Sequence, residues 1–152
     1  MTSAVDTNVL VALLAGTEAE TEAAGRALSE AAVSGAVYAE LLTTPGLGAP
    51  ELDAFLAEAD LEVVWSLDKA VWQAAGQAAG QAYTGYAGRR CQKGDPGPRR
   101  ILADFLVGAH AAASAARLLT LDLQLYRSNF RALELVVPEA GGSKAARGQK
   151  TA

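Results

Sequence analysis

The sequence predicts an α/β fold with a mainly parallel sheet, and three observations lead there. Short apolar segments that read as strands alternate with longer segments of helical periodicity, the pattern of parallel strands joined by helical crossovers. The chain has 152 residues, enough for one domain with a sizeable core. Its hydrophobic content is 51% but its aromatic content only 6%, so the apolar residues are mostly Ala, Leu and Val, suited to Ala-rich helices on a small aliphatic sheet.

Residues 2–6 (TSAVD) read as a short buried strand ending on Asp6, and Asn8 to Leu14 as a helical turn or short helix. Glu18 to Ala32 has helical spacing through Ala24, Leu28 and Ala32, with acids on the other face. Thr17 is its expected N-cap, Glu20 would complete a capping box, and Gly35 is expected to stop it. Gly35 to Tyr38 is expected to be a strand running into a helix that carries Glu40. Thr44 to Pro50 is a loop on its Pro and Gly content, Glu51 to Ala59 a short helix after Pro50, and Leu61 to Trp65 a strand. Asp68 to Tyr83 reads as a helix with Val71, Ala75, Ala78 and Ala82 on one face.

Gly85 to Arg100 reads as a Gly/Pro-rich basic loop, followed by an apolar helix from Ile101 to Ala116 that carries Asp104. Leu118 to Leu121 is a buried strand ending at Asp122, Leu123 to Phe130 a loop and short helix, and Leu133 to Val137 a last strand closed by Pro138. One folded domain over residues 1–139 is expected, without internal repeats. Residues 140–152 lack apolar periodicity and are expected to be a disordered tail.

The net charge of −4 conceals an asymmetry: residues 1–68 carry −11 and residues 69–152 carry +7. A globally acidic chain is not an obvious nucleic-acid binder, but screening confines electrostatics to about 8–10 Å, so a local basic patch can still hold phosphates. Arg89, Arg90, Lys93, Arg99 and Arg100 form such a patch just before the Asp104 helix, beside Tyr83 and Tyr86, which could stack bases. The lone cysteine, Cys91, excludes an intrachain disulfide and suits a reducing compartment. The apolar run Val9 to Ala15 is too short to span a bilayer and lacks signal-peptide flanks, so a cytoplasmic location is expected.

Asp6 and Asp122 each end an apolar strand, and in an open parallel sheet ligands bind beyond the carboxyl ends of the strands. Such an acid belongs either to a site or to a helix N-cap, and for each residue alone both readings stand. Asp104 lies in ILADFLVGAHAAA, where nearly every neighbour is apolar, so its carboxylate needs a partner or a cation. Glu40 is a single acid among apolar residues in YAELLTT. Together the four suit a hard divalent cation, which takes oxygen ligands and cancels repulsion worth about 4 kcal/mol for two charges about 4 Å apart at an effective dielectric near 20. Without a cation, carboxyl pKa values are expected to be raised. No Cys/His cluster suggests zinc, and no phosphate-loop or dinucleotide fingerprint follows a strand. His110 lies six residues past Asp104, about 600° around the helix, and is expected to be structural. Trp65 and Trp72 are expected in the core or at a dimer interface.

The segments AVDTNVLVALL, AVYAELL, RRILADFLVGAHA and LLTLDLQLYRSNFRALELVVP, with Thr120, Tyr126, Phe130 and Pro138 in the last, together resemble the PIN domain, and in particular VapC-like toxins. The resemblance spans residues 3–138 and implies a three-layer α/β/α fold around a parallel sheet of four or five strands. It implies an Mg²⁺- or Mn²⁺-dependent endoribonuclease leaving a 5′-phosphate and a 3′-hydroxyl, a homodimer, and a small antitoxin that occludes the site. Asp6, Glu40, Asp104 and Asp122 would be the catalytic, metal-binding acids, with Thr120 a supporting hydroxyl and Asn8 an orienting amide. Two rivals remain: a PIN fold kept for RNA or protein binding without cleavage, and an Asp-dependent α/β phosphatase using Asp6 as nucleophile. The phosphatase class usually places a second acid two residues on, where this chain has Asn8.

Overall fold

A computed structural model describes residues 3–16, 25, 28, 31–90, 101–114 and 117–138, with the backbone alone for residues 83–90 and 101. The elements in order are β1 (Ser3–Val5), α1 (Thr7–Ala15), β2 (Ala31–Ser34), α2 (Gly35–Leu41), α3 (Ala49–Glu58), β3 (Glu62–Val64), α4 (Lys69–Arg90), α5 (Ile101–Ser114), β4 (Arg117–Leu119), α6 (Leu123–Asn129) and β5 (Glu134–Val136). The strands form one sheet in the order β3-β2-β1-β4-β5, every pair parallel. The chain steps from β1 to β2 to β3 in one direction, then crosses back to β4 and β5. Right-handed crossovers taken in opposite directions put helices on both faces of the sheet, giving three layers, α/β/α.

The strands are short, and their central residues are aliphatic because the sheet between the helix layers is covered on both faces. Val5, Val33, Leu118 and Leu119 are buried within the sheet, and Leu10, Leu41, Leu52 and Val107 are buried on the helices that cover it. Each such side chain contributes about 1.5–3 kcal/mol on leaving water. At the end of α3, Asp60 takes a left-handed conformation (φ 55°) while the Leu61 amide reaches back to the Leu56 carbonyl at 2.9 Å. That is the helix-ending turn which glycine usually serves and aspartate tolerates.

Two expected boundaries are corrected. Ala31 and Ala32 belong to β2 and not to the preceding helix, because in the middle of a buried sheet burial outweighs alanine's helical preference. Gly35 accordingly starts α2 instead of ending a helix, and residues 35–38 are helical, not a strand: the Ser34 hydroxyl caps α2 by accepting from the Val37 amide at 3.4 Å. The rest of the Glu18-to-Glu30 helix and its Thr17 cap fall almost wholly outside the described residues. The second correction is to the basic loop, since α4 continues through Gly85 to Arg90. A glycine inside a helix costs only about 1 kcal/mol relative to alanine, and the first proline comes at Pro96. Lys93, Arg99, Arg100, Cys91 and the expected tail at 140–152 lie outside the described residues. Trp65 and Trp72 are 66% and 54% exposed and so do not belong to the core.

Gly108 on α5 is held by close approach: a Cβ there would stand 2.4 Å from the Phe130 ring, which itself packs against Phe105 and Tyr126. Gly108→Ala is expected to lower the unfolding free energy by about 1–2 kcal/mol in urea titration, because displacing a packed ring outweighs the better helix propensity of alanine.

Candidate active site

The strand order reverses between β1 and β4, and the crevice beyond their carboxyl ends is where this topology leaves room for a ligand. A cavity of about 480 Å³ opens there, lined by Asp6, Thr7, Asn8, Val11, Ala12, Ala15, Glu40, Asp104 and Asp122. Four separate elements bring the acids to it. Asp6 follows β1, Asp122 follows β4 and precedes α6, Glu40 sits near the end of α2, and Asp104 lies in the first turn of α5.

Asp6 and Asp122 are caps and crevice acids at once, so the two readings open at the level of sequence do not exclude each other. Asp6 Oδ1 accepts from the Thr7 amide at 2.8 Å at the start of α1, and Asp122 Oδ1 accepts from the Leu125 amide at 3.3 Å at the start of α6. Thr120 joins them. Its buried hydroxyl donates to Asp6 Oδ2 at 2.8 Å and accepts from the Asp122 amide at 3.0 Å. Asn8 ties the same two chain segments from the other side, its Oδ1 accepting from the Leu121 amide at 3.1 Å. The Thr7 hydroxyl donates to Glu40 Oε2 and so fixes the acid on α2 to the start of α1. Thr7 was missed in the sequence, where nothing distinguishes it from an ordinary first-turn residue; only the return of α2 to the crevice reveals its partner. His110 is buried on α5, does not line the crevice, and has its pKa lowered by that burial.

The electrostatics are those of carboxyls withdrawn from water, with like charges close by. Burial pushes the Asp6 carboxyl above its ordinary range, against the opposing bonds from Thr120 and the Thr7 amide, and Glu40 adds to the rise. Asp104 is pushed from 3.8 up to about 7, first by burial and then by the charges of Asp6, Glu40 and Asp122. Its place in the first turn of α5 favours the anion by only about 0.3–1 kcal/mol, too little to prevail. Asp104 therefore feels all three other acids, although no three Asp, Glu, His or Cys side chains among the described residues stand close enough to enclose an ion as they are. The donor set fits a hard dication: the titratable groups lining the crevice are all carboxylates, with hydroxyl and amide oxygens beside them and neither thiol nor imidazole.

Arg89 and Arg90 end α4, which packs along α5, the helix that carries Asp104; the other basic residues named in the sequence are outside the described residues.

A family model described as PIN domain matches residues 4–130. Among solved structures, a chain from VapBC2 of Rickettsia felis bound to a DNA fragment from its promoter is 21% identical with a TM-score of 0.60, covering 91% of this chain and 100% of that one. A chain from a toxin–antitoxin complex of Klebsiella pneumoniae is 16% identical with a TM-score of 0.56, covering 90% of this chain and 98% of that one. A chain from VapBC-1 of nontypeable Haemophilus influenzae is 18% identical with a TM-score of 0.56, covering 89% and 96%. At these identities the likeness is one of fold. Among curated proteins no sequence matches the chain.

Because the folded protein holds the Asp104 proton more tightly than the unfolded chain, whose value is near 3.8, stability without metal falls as pH rises from about 4 through about 7. The loss corresponds to ~4 kcal/mol unscreened and on the order of 2 kcal/mol at this part-exposed position. Asp104→Asn is expected to remove most of that slope and to unfold at higher denaturant than the wild type at pH 8 in EDTA, while differing little at pH 4.

Proposed function

The chain belongs to the PIN-domain family, and from that premise we propose that it is an Mg²⁺- or Mn²⁺-dependent endoribonuclease, the toxin of a toxin–antitoxin pair. The observation that carries this reading is the convergence of Asp6, Glu40, Asp104 and Asp122 on one crevice, with the Asp104 carboxyl driven up to about 7 by the others' charge as well as by burial. Such an arrangement is costly in an empty site and favourable around a dication.

Asp6, Glu40, Asp104 and Asp122 would hold the cation through carboxylate oxygens. When bound, it would lower the pKa of a water and offset the charge that grows on the phosphodiester as its bond breaks. The protein's own contribution is placement. Thr120 fixes Asp6 and the amide of Asp122 in one network, Thr7 holds Glu40, and Asn8 pins the turn between β4 and α6. Asp104 would give up its carboxyl proton on holding the cation, so binding would strengthen as pH rises toward and past 7. Val11, Ala12 and Ala15 of α1 line one side of the crevice with apolar but solvent-exposed side chains.

RNA would run from the crevice toward the basic segment, where Arg89, Arg90, Lys93, Arg99 and Arg100 track its phosphates. The Klebsiella pneumoniae neighbour's description as a toxin–antitoxin complex supports a small antitoxin partner here too, and a homodimer is part of the same reading. Among the described residues no helix is long and apolar enough to cross a membrane.

An RNase assay with Mg²⁺, Mn²⁺ and EDTA tests the proposal. Cleavage in Mn²⁺ or Mg²⁺, its loss in EDTA, and a fall of at least about a hundredfold in Asp6→Asn and Asp104→Asn are expected, the scale seen when a group acting in the transition state is removed. Cleavage that survives EDTA or both substitutions overturns it.

A further inference from the structure

Tyr126 is not used in the chemistry above. It lies on α6 one turn beyond Asp122, with its side chain wholly buried and its ring packed near Phe130 at 6.3 Å between centroids. Its hydroxyl is the one buried side-chain polar atom without a hydrogen-bond partner among the described residues. A phenylalanine of the same shape would escape that penalty, because an unpaired buried donor is expensive while a matched apolar surface is not.

The group that the hydroxyl can serve is Asp6. The phenol sits near enough to favour the ionised Asp6 carboxyl, and burial first, then the charges of Asp6, Asp104 and Asp122, hold the phenol's own proton in place. The two fall short of hydrogen-bond geometry as they stand. Asp6 Oδ1 already accepts from the Thr7 amide and Oδ2 from the Thr120 hydroxyl, each at 2.8 Å. A carboxylate has about four acceptor positions, so room for a third donor remains. Thr7 and Thr120 fix the carboxylate at the ends of β1 and β4, whereas Tyr126 approaches from α6.

We infer that Tyr126 is a positioning residue for Asp6, its hydroxyl donating to that carboxylate when Asp6 holds a divalent cation. The assignment rests on the cation reading above. A strained or unpaired polar group in the empty site that finds its partner in the loaded one makes loading and ordering the same event.

The test is Tyr126→Phe in the full chain, titrated with Mn²⁺ by calorimetry beside the wild type, with thermal unfolding of both in EDTA. In EDTA the variant should unfold at the wild-type temperature or above it, since relief of the unpaired buried hydroxyl offsets the loss of its weak pull on Asp6. Its Mn²⁺ affinity should be about tenfold weaker, the scale of one hydrogen bond to a charged group. Equal affinity in the two proteins overturns the assignment and leaves the cation reading intact. An affinity loss matched by a lower unfolding temperature in EDTA also overturns it, because that marks a packing defect. A wild type that binds no Mn²⁺ overturns the cation reading, and the role of Tyr126 with it.

Discussion

The crowding of four carboxylates into one half-buried crevice is the constraint on which the rest of the site depends. The parallel sheet makes it unavoidable: two of the acids follow adjacent strand ends, β1 and β4, and the helices that cover the sheet return Glu40 and Asp104 to the same crevice. Burial compounds it, since the apolar core that stabilises the domain also withdraws water from Asp6, which is 3% exposed. The fold's stability and the site's strain therefore have one origin. A cation at this place would turn the unfavourable charge into binding energy.

The hydrogen-bond network determines how far the acids can relax. Thr120 and Asn8 each join residues more than a hundred positions apart, stitching β1 and the start of α1 to the turn after β4. The backbone does the same beside them, where the Asp6 amide donates to the Leu119 carbonyl at 2.9 Å, and the Thr120 amide ties the end of β4 to the Val136 carbonyl of β5 at 3.0 Å. Asp6 and Asp122 are thus held on rigid elements. Asp104 and Glu40 arrive on helices, Glu40 tethered by the Thr7 hydroxyl.

The legibility of the sequence followed burial. Strands such as Leu118–Leu119 stood out because a fully covered sheet demands an aliphatic run, and Val63–Val64 because paired β-branched residues favour a strand even at the half-buried edge. Asp6, Asp122 and Asp104 stood out because a carboxylate among such residues needs a reason. The Ala31–Ala32 strand did not, since alanine carries no pattern that separates a buried strand from a helix, and Gly35 read as a stop signal although it follows a serine cap. The continuation of α4 to Arg90 was hidden by glycines that a helix tolerates. Thr7 was invisible because its partner, Glu40, is distant in sequence. The unpaired hydroxyl of Tyr126 is likewise a property of packing, with no trace in a residue pattern.

The central claim is that the acids' mutual repulsion is relieved by a divalent cation, and proton release on binding tests it most directly. Mn²⁺ titration of the wild type at pH 6.5, in two buffers of different ionisation enthalpy, should show uptake of Mn²⁺ with net release of a sizeable fraction of one proton, because the Asp104 carboxyl sits at about 7 in the empty site and must ionise to bind. Mn²⁺ uptake with no proton released, or no uptake at all, would contradict the account.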